Sequence, residues 1–145
     1  MEKFFKNLQN QKVILGTSSY YRQETFKKLN IPYKIVKSDF EENLDHSSFS
    51  SPTDYCITTS EEKAKDIFQK VKNEDFNLLI TCDTICVDSN NKILEKPKDW
   101  NEHIQFLKSY SGKYLDLITS MRLILKENDH FYTSSSSETT RIFWE

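Results

Sequence analysis

Within Leu78–Val87, LLITCDTICV, one carboxylate, Asp83, stands among apolar, β-branched and cysteine residues. A charge left unpaired in a strand buried on both faces costs several kcal/mol or is driven neutral, so a cation or metal is expected to face it. The chain supplies one on its way back. Asp88-Ser-Asn-Asn-Lys92 reads as a hairpin turn returning through Ile93-Leu94-Glu95-Lys96-Pro97-Lys98. If Asn90-Asn91 is a two-residue turn, Val87 pairs with Leu94, Asp83 pairs with Lys98, and Lys96 lies diagonal to Asp83 on the same face. A four-residue loop puts Lys96 directly opposite, and a three-residue loop turns it away. The plain reading of these residues is a structural ion pair. A second group changes that: Val13–Leu15 runs into Gly16-Thr17-Ser18-Ser19 and then a helix, offering amides and hydroxyls at a helix N-terminus with Arg22 in its first turn. Serine is also simply a good N-cap, so this turn says little alone. A phosphate-binding turn, two lysines and a carboxylate able to hold Mg²⁺ together describe a nucleotide or phosphoester site.

Other chemistries fit less well. Cys82 and Cys86 flank Asp83 on one strand and are expected to point to the opposite face, into the core. Zinc needs two more ligands, and His46, His103 and His130 have no metal spacing. The run Asp83–Asp88 brushes against a phosphatase signature with an aspartate nucleophile, but Ile85 stands where a second Asp is wanted. Tyr20 and Tyr21 either stack a base or pack against the sheet, and Trp100 and Trp144 are expected to pack in the core or at an edge.

The elements that must position these groups follow from periodicity. Val13–Leu15 is a strand, and Tyr21, Phe26 and Leu29 recur at near-helical spacing until Asn30-Ile31-Pro32. Tyr33–Val36 is β-rich, and Asp39–Pro52 is a polar loop. Ser51-Pro52-Thr53-Asp54 provides an N-cap, a proline at N1 and an acid at N3 for a helix with Ala64, Ile67, Phe68 and Val71 on one face. Asp99 and Glu102 open another helix, with Ile104, Leu107 and Trp100 inward, which Ser111-Gly112 ends. Leu115, Leu117, Met121, Leu123 and Leu125 alternate as one face of a long strand, and Phe131–Ser135 and Thr139–Trp144 add two shorter ones.

With 145 residues and a net charge of −2, the chain reads as a single domain, 1–145, without a global field for nucleic acid or anionic membranes. Any useful positive charge is therefore local. No run approaches the roughly 20 apolar residues of a membrane span, and three cysteines without framework spacing suit a reducing compartment, so a soluble cytoplasmic protein is expected.

VILGTSSYYRQETFKKLNIPYKIVKSDFEE resembles the opening of Maf-family proteins: a strand, a small-residue turn with Ser-Pro-Arg-Arg, a helix, and an acidic Ser-[Asp/Glu]-x-x-Glu segment. EEKAKDIF is similar to their Lys-Ala-x-Ala helix, and the stretch from LLITCDTICV to LITSMRLI to their Ala-Asp-Thr strand, Gly-Lys-Pro return and following helix and strand. The resemblance implies an α/β fold, a mixed β-sheet flanked by helices related to inosine-triphosphatase-like enzymes. It implies a nucleoside triphosphate pyrophosphatase, taking dTTP, UTP or a modified nucleotide to the monophosphate and pyrophosphate with a divalent metal ion, Mg²⁺. Residue by residue it assigns Asp83 as general base with Lys63 and Lys96 beside it. Ser19, Arg22, Thr17 and Thr84 fall to substrate binding, and Asp39 with Asp83 to the metal. A homodimer is implied, with neither nucleic acid nor membrane as partner. The chain departs from the pattern at Tyr20 and Tyr21 for Pro and the first Arg, Thr17 for Ser, Glu95 for Gly and Leu115 for a frequent His. Family members also continue past the strand matching Thr139–Trp144, so the C-terminal part of the family fold is expected to be missing. The alternative expectation is a catalytically inactive Maf-like nucleotide-binding or regulatory protein.

Overall fold

The computed structural model describes residues 2–128 and 130–145. Its sheet is built around β3 (Leu78–Asp88), which pairs with strands of both directions. On one edge β3 runs parallel to β1 (Val13–Gly16), which is parallel in turn to β2 (Tyr33–Ile35). On the other edge lies antiparallel β5 (Lys113–Glu127), followed by antiparallel β6 (His130–Trp144). The order is β2-β1-β3-β5-β6, with β4 (Ile93–Leu94) on β3 as well. The sheet is therefore mixed and flanked by helices.

The principal helix, α3 (Pro52–Val71), starts as its sequence demands: the Ser51 hydroxyl accepts from the Asp54 amide at 3.1 Å and Pro52 occupies the first turn. Its inner face carries Ala64, Ile67 and Val71 onto Ile14, Leu79 and Ile124 of the sheet. The pleat sends alternate residues of β3 to opposite faces. Leu79, Thr81, Asp83, Ile85 and Val87 share the α3 face, whereas Ile80 and Cys82 pack with Val13, Leu15 and Ile31 beneath α2 (Tyr20–Lys28). Gly16 ends β1 where this packing is tightest. A Cβ there would sit 2.5 Å from Ile67 Cδ1 and 2.6 Å from Thr81 Cγ2, so only glycine lets β1 close on both α3 and β3.

Several expectations are corrected. A helix, α1 (Glu2–Leu8), precedes β1 where no element is expected from the pattern. Phe131–Ser135 and Thr139–Trp144 are not separate strands, because all of β6 stays in register with β5. In β5 the deepest burial is on the face of Ile118, Ser120 and Ile124, which α3 covers, while Met121 and Leu125 of the apolar alternation are partly exposed. Tyr20 and Tyr21 do not pack on the sheet; they are exposed and meet each other edge to face. Trp100 opens α4 (Trp100–Tyr110) exposed, stacked on His103.

The hairpin adopts the register that turns Lys96 away. Cys86 pairs with Leu94 and Val87 with Ile93, leaving a three-residue loop, Ser89–Asn91. Asp88 dictates it: its carboxylate accepts from the amides of Asn90 and Lys92 at 2.8 and 2.9 Å, and Asn91 takes a left-handed conformation at φ 64° to absorb the extra residue. The ladder stops at Leu94, so Lys96 is placed by an irregular segment rather than by strand pairing.

Candidate functional site

The site lies at an interruption in the sheet. β1 follows β3 only as far as Thr81, and β4 joins the same edge only at Cys86, so Cys82–Ile85 have no strand beside them there. Ligand crevices of open α/β sheets form at such places, beyond the carboxyl ends of parallel strands. Arg22 fills part of the interruption. One of its terminal nitrogens donates to Cys82 O at 3.2 Å and Thr17 Oγ1 at 3.3 Å, and the other donates to Thr84 Oγ1 at 2.8 Å. Three of the five guanidinium donors are thereby spent on the scaffold, and two remain for a ligand. Thr17 also accepts the Ser19 amide at 3.0 Å, which shapes the turn before α2. The next amides in the first turn of α2 lack intrahelical acceptors by helix geometry, and the Ser19 hydroxyl makes no capping bond.

Asp83 faces a cation, as a buried carboxylate should. Its Oδ1 accepts from Lys63 Nζ at 2.7 Å, and Lys63 donates equally to Glu42 Oε1 at 2.7 Å. Asp83 is only 5% exposed, so it lies in the wall of the crevice rather than at its mouth. Burial pulls the Lys63 pKa down, and this is the largest single influence. The hydrogen bonds and charges of Asp83 and Glu42 together outweigh it and hold the group above the usual lysine range. Behind the pair, the Cys56 thiol on α3 lies 3.7 Å from Asp83 Oδ2 and 3.3 Å from the Ser120 hydroxyl, which donates to Cys56 O. Burial pushes the Cys56 thiol pKa up, so it presents a proton and not a charge to the carboxylate.

A cavity of about 360 Å³ is lined by the Gly16–Ser19 turn, Arg22, Lys37, Lys63, Asp83, Thr84 and Lys96. Thr17, Ser19, Arg22, Lys63, Asp83, Thr84 and Lys96 of the expected set thus come together. Among the described residues Lys96 has no hydrogen-bonding partner, which leaves its ammonium for a ligand. Asp39 is not brought in: its carboxylate is exposed and paired with Lys70 at 2.8 Å, outside the cavity lining. Glu42 supplies the second carboxylate instead. Cys82 points into the core as expected, but Cys86 is half-buried and lines a neighbouring lobe. Lys37, Glu42 and Cys56 are the members that the sequence patterns leave unassigned. Four cations against two carboxylates make the cavity locally positive on a chain that is negative overall.

The donor set suits a hard divalent cation. Mg²⁺ is commonly held by one or two carboxylates with substrate phosphates and waters, and Glu42 and Asp83 converge on one point, where the Lys63 ammonium now sits. Among the described residues no group of three or more His, Cys, Asp or Glu forms a closed protein cage, and no helix is long and apolar enough to cross a membrane.

A family model described as Maf-like protein matches residues 12–145. A nucleoside triphosphate pyrophosphatase of Dictyostelium discoideum is 38% identical over 132 residues, covering 89% of this chain and 61% of the relative. A dTTP/UTP pyrophosphatase of Clostridium botulinum is 33% identical over 112 residues, covering 77% of this chain and 57% of the relative. A probable bifunctional dTTP/UTP pyrophosphatase/methyltransferase protein of Homo sapiens is 30% identical over 135 residues, covering 90% of this chain and 22% of the relative. The chain therefore spans about three fifths of the length of the first two relatives.

Proposed function

The chain belongs to the Maf-like protein family, and from that premise we propose that it hydrolyses a nucleoside triphosphate between the α- and β-phosphates, yielding the monophosphate and pyrophosphate. The observation that carries this reading is Lys63 held between Asp83 and Glu42 in the lining of a cavity that also holds an amide-rich turn and Arg22. Such a cavity is built for a polyphosphate beside a carboxylate base. The relatives' names support a nucleoside triphosphate, with dTTP or UTP as the candidates, as the substrate class. Three unpaired cysteines support a cytoplasmic setting.

In this reading the β- and γ-phosphates lie against the Gly16–Ser19 turn, where the Arg22 donors, Lys37 and Lys96 offset their charge. The Asp83 carboxylate, held in the cavity wall beside Lys63, accepts the proton of the attacking water at the α-phosphorus. The bond from the α-phosphorus to the bridging oxygen breaks, and pyrophosphate leaves with its charge stabilised by the same cations. Glu42 and Asp83 would hold a divalent cation, Mg²⁺, which when bound neutralises phosphate charge and polarises the phosphoryl oxygens.

The test is a panel of nucleoside triphosphates assayed for pyrophosphate with Mg²⁺, beside an Asp83→Asn control. Release that disappears in the control is expected. No release with any nucleotide at high protein concentration refutes the hydrolytic reading, and nucleotide binding without release assigns the regulatory alternative instead.

A further inference from the structure

Asp83 has a second neighbour besides Lys63, and it comes from the same helix. Cys56 and Lys63 are seven residues apart on α3, about two turns, so they share one face. The Cα–Cβ bonds of a helix tilt toward its N-terminus, which carries the long Lys63 stem back in the direction of Cys56. The Asp83 carboxylate meets the ammonium with Oδ1 at 2.7 Å and the thiol with Oδ2 at 3.7 Å. β5 sets where the thiol sits. Ser120 is the direct cross-strand partner of Asp83, so the two side chains stand together on the α3 face. The Ser120 hydroxyl donates to Cys56 O at 2.7 Å and ties α3 to the sheet at this level. Cys56 and Ser120 are both fully buried. The thiol has one proton and three acceptors within reach: Ser120 Oγ at 3.3 Å, Ile118 O at 3.4 Å and Asp83 Oδ2 at 3.7 Å. Ile118 lies in β5, between β3 and β6, so its carbonyl already belongs to a ladder. The Ser120 oxygen is neutral. Asp83 alone offers a charge, and hydrogen bonds to ionised acceptors are roughly twice as strong as neutral ones.

Resting on the pyrophosphatase reading above, we propose that Cys56, seated by Ser120, is a positioning residue for the reaction: its thiol donates to Asp83 Oδ2 and fixes the plane of the carboxylate that takes the proton of water. Lys63 holds one oxygen, about which the carboxylate can still swing. A second donor on the other oxygen removes that freedom, and small misplacements of a reacting group are costly in rate. An ionised carboxylate has about four acceptor sites, so these two donors still leave lone pairs for the water.

Cys56→Ala and Cys56→Ser leave nearly the same void and differ by one hydroxyl donor, so packing alone treats them alike. In pyrophosphate release from dTTP or UTP, Cys56→Ala should lower kcat about tenfold with KM within about twofold, and Cys56→Ser should stay within about threefold of the parent kcat. A serine variant no better than the alanine variant, or a loss confined to KM, overturns the proposal. Ser120→Ala should lower kcat in the parent but add less than about twofold in the Cys56→Ala background, and full additivity overturns the seating by Ser120. The contact itself is read without turnover. The S–H stretching band of Cys56, isolated by Raman spectroscopy as the difference from the corresponding Cys56→Ala protein, should move to higher wavenumber in Asp83→Asn, where the acceptor is neutral. An unmoved band puts the thiol proton on Ser120 or Ile118 and overturns the proposal. No pyrophosphate release from the parent refutes the pyrophosphatase reading and the positioning role together, whereas an unmoved band or an unrescued serine variant with release intact refutes the positioning role alone.

Discussion

Replacing Lys63 with Met removes one ammonium while keeping a helix-forming side chain of similar length. That ammonium is 2.7 Å from both Asp83 and Glu42, with its side chain 14% exposed and that of Asp83 6%. The substitution leaves Asp83 buried with only the Cys56 thiol contact at 3.7 Å. Breaking a buried pair from one side costs about 3–5 kcal/mol; Glu42, half in solvent, adds little because water screens it. At about 3 °C per kcal/mol for a chain of this size, Tm should fall by about 9–15 °C. Urea denaturation in a double-mutant cycle isolates the cause. In an Asp83→Asn background the same substitution should cost less than about 1 kcal/mol, because a neutral amide does not require the ammonium. The pH dependence has a defined sign. The folded pKa of Lys63 lies above its unfolded value, so the pair's contribution is complete below about pH 10.4 and fades as pH rises through the folded pKa. The stability gap between parent and variant should therefore stay level from neutral pH to about pH 10 and narrow above it. A variant within about 0.5 kcal/mol of the parent at pH 7, or a penalty identical in both backgrounds, would show that Lys63 is not what compensates Asp83.

Gly16→Ala forces a methyl group against Ile67 and Thr81, and should destabilise by about 1–3 kcal/mol in chemical denaturation; an unchanged midpoint would mean that α3 moves aside freely. Arg22→Lys keeps the charge but loses the fork that joins Thr17, Cys82 and Thr84, so tripolyphosphate binding by calorimetry should weaken about tenfold. Equal affinity would place the phosphates elsewhere. Glu42→Gln should lower the apparent affinity for Mg²⁺ in pyrophosphate release while Asp39→Asn leaves it unchanged, and the reverse outcome would restore Asp39 to the metal.

The legible parts of the fold are those governed by local chemistry. Ser51-Pro52 starts α3, Gly112 at φ 69° ends α4, and the alternation of β3 separates Asp83 from Cys82. What local chemistry conceals is competition between equally acceptable alternatives. Asn90-Asn91 is a good two-residue turn, but the Asp88 carboxylate binds two amides across the loop and selects three residues. In β5 the apolar alternation marks one face, yet Ser120 and its neighbours on the other are more deeply buried, because α3 lands on that side and the Cys56 carbonyl receives the Ser120 hydroxyl. No residue in β5 announces where α3 will lie.

The exchange of Asp39 for Glu42 has a geometric origin that connects two motifs. Lys63 and Lys70 are seven residues apart on α3, about two turns, which puts them on one face roughly 10.5 Å apart along the axis. The loop after β2 lies along this face in the opposite direction, with Asp39 at the level of Lys70 and Glu42 at the level of Lys63. Three residues of extended chain reach about 10–11 Å, the same span, so the two pairs form together. Asp66, one turn from Lys70, fixes the far end by accepting the Asp39 amide at 2.8 Å and the Ser38 hydroxyl at 3.0 Å. The Ser-Asp-x-x-Glu pattern and the Lys63/Lys70 spacing are thus two halves of one device. The first acid anchors the loop to the outer turn of the helix, and the second is thereby delivered to the lysine that faces Asp83. An acid chosen because it follows Ser38 is the anchor; the residue three positions later is the one that reaches Lys63 beside Asp83.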